Sequence, residues 1–392
     1  SKLNELLGTD VVTDNTLKFI PPIPDTGVAT QTFWESPFSK FLIFISVMWW
    51  SHHGTDGGGY IIQRMSSAKN ERHALLATLW FNIAHYALRV WPWIIVAVVS
   101  IVMFPIIPSE YSELGVKAGY PLVMNTLLGP GLKGILIVSF LAAFMSTIDT
   151  HLNWGVSYLI NDIYKRFFKP NESERHYVLV GKIMTVILMI LAAFTALKMQ
   201  SIPKAWEFIF AMGAGIGLVL ILRWFWWRVN AWSEITALAT SIVITISFEI
   251  IAYFQTINNN LEYSLFGSAP SIFGMSLQVH HKLMIIVPIA IIAWVTVTFF
   301  TEPEPMTKLE SFYKRVQPGG WWGPVTSSFD HTLQPVTKGI FILWLAGVMM
   351  IYGFTFGIGN LIFQNYSASV TLFGFAGIGS YLIWNRNISK LT

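Results

Sequence analysis

The chain has 392 residues, of which 54% are hydrophobic and only 12% are charged. This composition excludes an ordinary water-soluble domain and indicates a protein that crosses the membrane several times. The net charge is +4 and cysteine is absent, which excludes disulfides and thiolate metal sites. The glycine-rich stretches match neither a P-loop nor a dinucleotide fingerprint, so we expect no cofactor and no nucleic-acid partner.

Runs of roughly 18 to 25 apolar residues predict nine membrane spans. They lie at 38–62, 75–104, 131–162, 177–198, 204–228, 231–256, 282–301, 338–362 and 366–385. Residues 1–37 are polar and contain proline, as is typical of a loop. Residues 302–337 are rich in Pro and Gly and are predicted to form an ordered connector that does not span.

Basic residues orient these spans. Most Lys and Arg of the connections follow the first, third, fifth, seventh and ninth spans, whereas the opposite connections hold only Lys117, Lys133, Lys198 and Lys204. The positive-inside rule then predicts that 1–37 is extracellular and that the C-terminus is cytoplasmic. We expect a multi-pass protein of the inner (plasma) membrane whose surroundings are the lipid bilayer.

The first span contains a polar, glycine-rich stretch at 51–59, which includes Ser51, His52, His53 and Asp56. Because each glycine costs about 1 kcal/mol relative to Ala in a helix, this stretch predicts a non-helical break in the span. Unwound backbone at membrane depth is tolerated where it lines a cavity. A metal site at these histidines is not expected, because adjacent side chains leave a helix in different directions and a third ligand is missing.

Three other features interrupt the apolar pattern. His85 and Arg89 lie one turn apart in the second span. Small residues at 212–217 in the fifth span allow either close helix packing, which we favour, or a local opening. The aromatic run 224–227, followed by Arg228, is interpreted as a structural anchor at the cytoplasmic membrane edge.

The third span carries the densest polar cluster of the chain. Ala143, Ser146, Thr147 and Thr150 share one helical face, and Asp149 lies three residues after Ser146. A face that offers only oxygen atoms suits a hard cation, for which sodium or a proton is the candidate within a membrane. The alternative is that the hydroxyls bond back to carbonyl groups of their own helix or to a neighbouring helix.

Together these segments resemble the sodium:solute symporters, the family of sodium/glucose and sodium/proline transporters. The segment 60–70 resembles the family's Q-R-x-x-x-A-K signature after a broken helix, and 142–153 followed by 162–164 resembles its ion-binding helix. The segment 226–230 resembles the end of its tenth core helix, so that the resemblance extends from about 38 to 235.

The resemblance implies an all-α, LeuT-type fold of two inverted five-helix repeats, with the binding sites at the bilayer midplane. Residues 38–228 correspond to the second repeat and 229–392 to about four accessory spans. A first repeat, in the same or another polypeptide, would be the missing partner that completes each site. The chain alone is therefore not expected to transport.

The resemblance also implies site residues. The Ala143 carbonyl, Ser146 and Thr147 correspond to the widely shared sodium site, and Ser146, Asp149 and Thr150 to a further site, where Asp149 replaces a small residue. We therefore expect Ala143, Ser146, Thr147, Asp149 and Thr150 to bind sodium as the only metal. The residues expected to contact solute are Ser51, His52, His53, Asp56 and His85. Gly54 and His85 stand where sugar transporters have an aromatic gate and a lysine.

The predicted function is sodium-coupled symport of a small polar solute by alternating access, and the chain is not predicted to be an enzyme. Two alternatives stay open. One is a sensor with the same fold that does not transport. The other is a membrane-embedded enzyme that uses His52, His53, His85 and Asp149 as acid and base groups, although no nucleophile with an adjacent base is evident.

Overall fold

The computed structural model describes residues 20–23, 33–111, 114–199, 201–260, 263, 265–266, 268–272, 274–327 and 337–385. Most of the predicted loop 1–37, residues 328–336 of the connector, and the C-terminal Arg386 and Lys390 lie outside these ranges. Short 3-10 turns occur at Phe33–Glu35, Ser109–Tyr111 and Gly115–Ala118.

The helices follow the predicted apolar segments closely. The first predicted span contains α1 (Pro37–Ile43), a π-helical stretch (Phe44–Met48), α2 (Trp49–Ser51) and, after a break, α3 (Gly58–Ser66). Next come α4 (Glu71–Asn82), a π-helical stretch (Ile83–Leu88), α5 (Val90–Met103), α6 (Gly119–Leu127), α7 (Pro130–Tyr158) with a π-helical continuation (Leu159–Phe168), and α8 (Glu174–Lys198). The remaining helices are α9 (Ile202–Met212), α10 (Gly217–Phe225), α11 (Ala231–Asn258), α12 (Val279–Phe300), α13 (Met306–Val316), α14 (Gly323–Thr326), α15 (Thr337–Ile362) and α16 (Tyr366–Ile383).

Strands are confined to one small hairpin between α11 and α12 in the part of the chain that the structure describes. Strand β1 (Ser271–Ile272) pairs antiparallel with β2 (Met275–Ser276), with Ser271 opposite Ser276. The architecture is therefore that of the predicted all-α polytopic membrane protein.

Seven helical segments are long and apolar enough to cross a membrane among the described residues. They are Glu71–Met103, Pro130–Phe168, Glu174–Lys198, Ala231–Asn258, Val279–Phe300, Phe341–Ile362 and Tyr366–Ile383. An eighth is the pair α9 and α10, which is bent by 40°. The remaining predicted span, 38–62, does not form one continuous helix of this kind because it is interrupted after Ser51.

Capping residues explain where several helices begin. Ser36 precedes α1, and its hydroxyl accepts a hydrogen bond from the Ser39 amide at 3.2 Å. Asn70 caps α4 in the same way, with Oδ1 3.0 Å from the His73 amide. Such caps satisfy amide groups that have no partner within the helix. The sequence thus encodes these boundaries locally.

The best-packed core joins the first half of the first span to the bent span and to α11 and α12. Its buried members are Ile43, Ala211, Ala214, Phe248, Leu277, Leu283, Ile286 and Val287. A second cluster packs Ile216, Val219 and Leu220 against Ala237 and Trp294. These clusters fix α1, α9, α10, α11 and α12 relative to one another.

The predicted connector, 302–337, packs against the aromatic run 224–227. Leu309, Tyr313, Trp322 and Val325 form a small buried cluster, and the Trp322 indole donates a hydrogen bond of 3.0 Å to the Trp224 carbonyl. The aromatic run is therefore a packing surface for the connector.

Candidate functional site: two facing helix breaks and a polar face of α7

The first span is interrupted between Ser51 and Gly58. Gly57 and Gly58 have φ angles of +92° and +64°, which residues with a Cβ adopt only under strain. The predicted break is confirmed, but it is narrower than 51–59, because Ser51 is the last residue of α2 and Gly58 and Gly59 belong to α3.

The polar groups of this break bond mainly to one another. His52 Nδ1 accepts a hydrogen bond from the Gly54 amide at 2.9 Å, and the Thr55 hydroxyl donates to the His52 carbonyl at 2.6 Å. Asp56 Oδ1 accepts from the Gly58 amide at 3.0 Å, at the start of α3. These bonds replace the helical hydrogen bonds that the break removes.

A second interruption lies directly against the first. Residues 213–216 form a turn between α9 and α10. A Cβ atom built on Gly213 would lie 2.6 Å from His53 Nδ1, and one on Gly217 would lie 2.6 Å from the Ser51 carbonyl oxygen. We predicted close packing rather than an opening at 212–217; the structure shows both, because the small residues that admit the neighbouring backbone also lie where the helix bends.

Four of the five predicted solute residues come together at this junction. The Ser51 hydroxyl is buried and has no hydrogen-bond partner among the described residues. His52 lies with its ring centre 5.9 Å from that of His53 and 6.0 Å from that of Phe210. The break therefore presents imidazole groups and one unsatisfied hydroxyl.

The fifth predicted solute residue, His85, lies in the π-helical stretch Ile83–Leu88. Its ring stacks on Phe81 with centres 4.9 Å apart and contacts Tyr86 edge-on at 4.7 Å. Its Nε2 atom is 3.2 Å from Arg89 Nη2. These contacts are all local, and within the described ranges no hydrogen bond or ring contact joins His85 to the break.

Asp56, predicted as a solute residue, is engaged by Arg223. Arg223 Nη2 lies 2.7 Å from Asp56 Oδ2, and Nη1 lies 3.6 Å from Glu234 Oε2. Arg223 was not among the predicted site residues. A single arginine within the apolar segment 217–225 was the available signal, since a charge among apolar residues requires a partner.

The predicted sodium residues all lie on α7, and all five are exposed. Ser146 and Thr147 donate hydrogen bonds to the Ala143 carbonyl at 3.0 and 2.9 Å. Thr150 donates to the Ser146 carbonyl at 2.8 Å, and Asp149 Oδ1 accepts from Asn153 Nδ2 at 3.0 Å. The hydroxyls thus adopt the back-bonded arrangement that was the alternative to ion binding.

This arrangement is compatible with a cation. A hydroxyl that donates its hydrogen to a carbonyl keeps the lone pairs of its own oxygen available for a cation. Every potential cation ligand at these positions is an oxygen atom. The Ala143 carbonyl accepts two hydroxyl groups, so one hydroxyl must rotate before this oxygen can bind an ion. Among the described residues no cluster of three or more His, Cys, Asp or Glu could hold another metal.

The polar face and the break lie on adjoining helices. A Cβ atom built on Gly59, in the first turn of α3, would lie 3.6 Å from the Trp154 indole and 4.0 Å from the Tyr158 hydroxyl of α7. Trp154 is one helical turn beyond Thr150. The two predicted sites are therefore joined through the start of α3.

The profile of the Sodium:solute symporter family matches residues 10–244. The chain belongs to this family. Its matched region begins earlier and ends slightly later than the resemblance that the motifs indicated. The family is one of sodium-coupled transporters and not of enzymes, and two of the three relatives below are named as sodium symporters or cotransporters.

Similar sodium:solute symporters include transporters of amino acids and sugars. The osmoregulated proline transporter OpuE of Bacillus subtilis is 26% identical over 169 residues, which are 40% of this chain and 34% of OpuE. The sodium/proline symporter of Haemophilus influenzae is 36% identical over 107 residues, 27% of this chain and 21% of the relative. Sodium/glucose cotransporter 1 of Oryctolagus cuniculus is 25% identical over 265 residues, 62% of this chain and 39% of the relative. Each alignment thus spans less than half of the relative's length.

Proposed function

We propose that this chain supplies the second five-helix repeat, 38–228, and the accessory helices of a LeuT-type, sodium-coupled symporter of a small polar solute. Family membership supports coupling to sodium. The arrangement that favours this fold is the contact between two interrupted helices, because such helices form binding sites in transporters of this kind. The distribution of basic residues supports a cytoplasmic C-terminus, and we infer that the membrane is the inner (plasma) membrane.

The observation that carries the proposal is the exposed oxygen face of α7 beside the broken first span. The Ala143 carbonyl, Ser146 and Thr147 would hold one sodium ion, and Ser146, Asp149 and Thr150 a further cation. One helix cannot surround an ion, so the remaining oxygen ligands must come from another element. We infer that a first repeat, in the same or another polypeptide, covers this face.

The solute would bind at the junction of the two breaks, where Ser51, His52 and His53 offer a hydroxyl and two imidazoles. His85 remains a predicted solute residue, to be brought into contact by the conformational change or through the solute. Sodium binding would favour the conformation that admits solute, and by linkage solute would raise the affinity for sodium to the same extent.

Uptake into liposomes tests this function. The chain together with the first repeat that the proposal requires should accumulate radiolabelled proline or glucose under an inward sodium gradient and not under a potassium gradient. Ser146→Ala and Thr147→Ala should each raise the sodium concentration for half-maximal uptake about tenfold, a loss of about 1.4 kcal/mol of ion binding.

Thr195→Ala is the matched control, because Thr195 makes the same type of bond, to the Leu191 carbonyl at 2.8 Å, on the neighbouring α8. Its sodium dependence should equal that of the wild type. If Ser146→Ala and Thr147→Ala also kept the wild-type sodium dependence, the proposed sodium site would be wrong. Conversion of a probe without any gradient would support the enzyme alternative.

A further inference from the structure

One guanidinium group connects the second halves of the two interrupted spans. Arg223, on α10, lies 2.7 Å from the Asp56 carboxylate, and the other oxygen of that carboxylate accepts the amide of Gly58, the first residue of α3. The second nitrogen of Arg223 lies 3.6 Å from Glu234 near the start of α11. Asp56 therefore fixes the start of α3 and ties it to α10.

Burial makes this pair persistent. The Asp56 side chain is only 10% exposed and that of Arg223 is 37% exposed. Separation of the two groups would leave a carboxylate without a counter-charge in surroundings of low polarity, which is more costly than breaking an exposed ion pair. The pair is therefore suited to remain intact while helices move.

A second contact ties α10 to the first span. Gly217, where α10 begins, lies against the Ser51 carbonyl with no room for a side chain. Arg223 is six residues further along, which is about 9 Å at the rise of an α-helix. The first attachment holds α10 at the end of α2, and the second, through Asp56, holds it at the start of α3. Because α10 is tied on both sides of the break, it cannot turn at the 213–216 bend without moving the start of α3.

We propose that Asp56 and Arg223 are positioning residues that join α3 and α10 into one body, which moves as a unit when the solute cavity changes the side on which it is open. This inference rests on the proposed transport function. It also removes Asp56 from the solute ligands, because both of its oxygens accept hydrogen bonds from the protein. Solute recognition then falls to Ser51, His52 and His53, with His85 still a predicted solute residue.

A double-mutant cycle tests the pair by uptake of radiolabelled proline or glucose. Asp56→Asn and Arg223→Gln should each lower Vmax per molecule about tenfold and change KM less than about twofold, and the double variant should lose no more than either single variant. Lys204→Gln is the control, because its 2.9 Å pair with Glu207 lies within α9 and joins no two helices. A tenfold rise in KM for Asp56→Asn alone would assign Asp56 to solute binding and overturn the inference.

The absence of native cysteine permits a second test. In Asp56→Cys/Arg223→Cys, a short bifunctional methanethiosulfonate reagent would replace the ion pair by a covalent link. Linking should raise Vmax towards the wild-type value, and reduction should lower it again. If linking instead abolished the residual uptake, the two segments would have to separate during transport, and the inference would be wrong.

The linking yield gives a readout that does not depend on transport. For a single body, the yield should be equal in sodium and in potassium buffer. A yield that changes with sodium contradicts the inference even if the protein accumulates neither proline nor glucose. Lack of accumulation by the wild type would count against the proposed function alone.

Discussion

The junction of the two breaks and the polar face of α7 differ in how far this chain completes them. At the junction, backbone, histidines and the Asp56–Arg223 pair contact one another closely. On α7, the predicted sodium residues are exposed, and their hydrogen bonds to described residues stay within their own helix. In an apolar stretch of 18 residues within Pro130–Phe168, 0% of the residues are buried. In the corresponding stretch of α12, 33% of the residues are buried. The polar groups of the first region are thus packed within the fold, whereas those of the second lie on an exposed helix face.

The largest loss of stability should follow from adding a side chain where the two breaks are in contact. Gly217→Val would place its side chain on the Ser51 carbonyl, where backbone must shift, and should lower the unfolding free energy by at least about 4 kcal/mol. Denaturant titration in detergent micelles measures this change.

The control for Gly217→Val is Gly134→Val on the exposed side of α7, where no atom lies within 4 Å of a built Cβ. Its unfolding free energy should change by less than about 0.5 kcal/mol. Equal losses at both positions would mean that the two regions are packed alike.

Removal of the counter-charge of Asp56 should have the next largest effect on stability. Arg223→Met leaves Asp56 without its counter-charge and should reduce the unfolding free energy by about 3 kcal/mol. Lys165→Met is the control, since Lys165 and Glu174 are 3.7 Å apart with side chains 42% and 87% exposed. Its loss should stay below about 1 kcal/mol by the same titration. A similar loss in both variants would contradict the structural role of Asp56.

Local signals predicted most of the fold. The apolar runs located the helices within a few residues, because the thickness of the membrane constrains how long a spanning helix must be. The glycines at 57–59 predicted the break in the first span. The partner of Asp56 could not be predicted, because Arg223 is 167 residues away in sequence and only tertiary packing brings the two side chains together.

The predicted sodium residues and the predicted solute residues also differed in how far local sequence determined their positions. The spacing of Ser146, Thr147 and Thr150 correctly placed them on one exposed face, since helical periodicity depends only on the local sequence. The grouping of His85 with the residues of the break depends on tertiary packing, which spacing does not encode. Within the described residues, its hydrogen bonds and ring contacts are local.

A smaller effect on the unfolding free energy is expected at Ser51, whose buried hydroxyl lacks a hydrogen-bond partner among the described residues of the junction. Ser51→Ala should therefore leave the unfolding free energy unchanged or raise it by up to about 1 kcal/mol. If Ser51 binds solute, KM for uptake should rise in the same variant.

The control for Ser51→Ala is Ser233→Ala, which removes a buried hydroxyl 2.6 Å from that of Thr298. It should lower the unfolding free energy by about 1 to 3 kcal/mol without raising KM. A destabilised Ser51→Ala with unchanged KM would place Ser51 among the structural groups of the junction.

The smallest effect on stability, below about 0.5 kcal/mol, should follow from Asp149→Asn, because this side chain is exposed and, among the described residues, its hydrogen bond is to Asn153 on the same helix. The role of Asp149 in transport can be tested more directly, since a carboxylate on the proposed ion-binding face can hold a cation or carry a proton. If Asp149 binds a second sodium ion, Asp149→Asn should lower the Hill coefficient for sodium and leave the pH profile of uptake unchanged. If Asp149 carries a proton, the variant should lose its pH dependence and keep the Hill coefficient.

Asn153→Ala is the control that separates the hydrogen bond from the charge. It removes the partner of Asp149 and keeps the carboxylate, so it should preserve both the Hill coefficient and the pH profile. Unchanged behaviour of Asp149→Asn in both assays would make Asp149 a hydrogen-bonding residue of α7 and confine the sodium site to Ala143, Ser146 and Thr147.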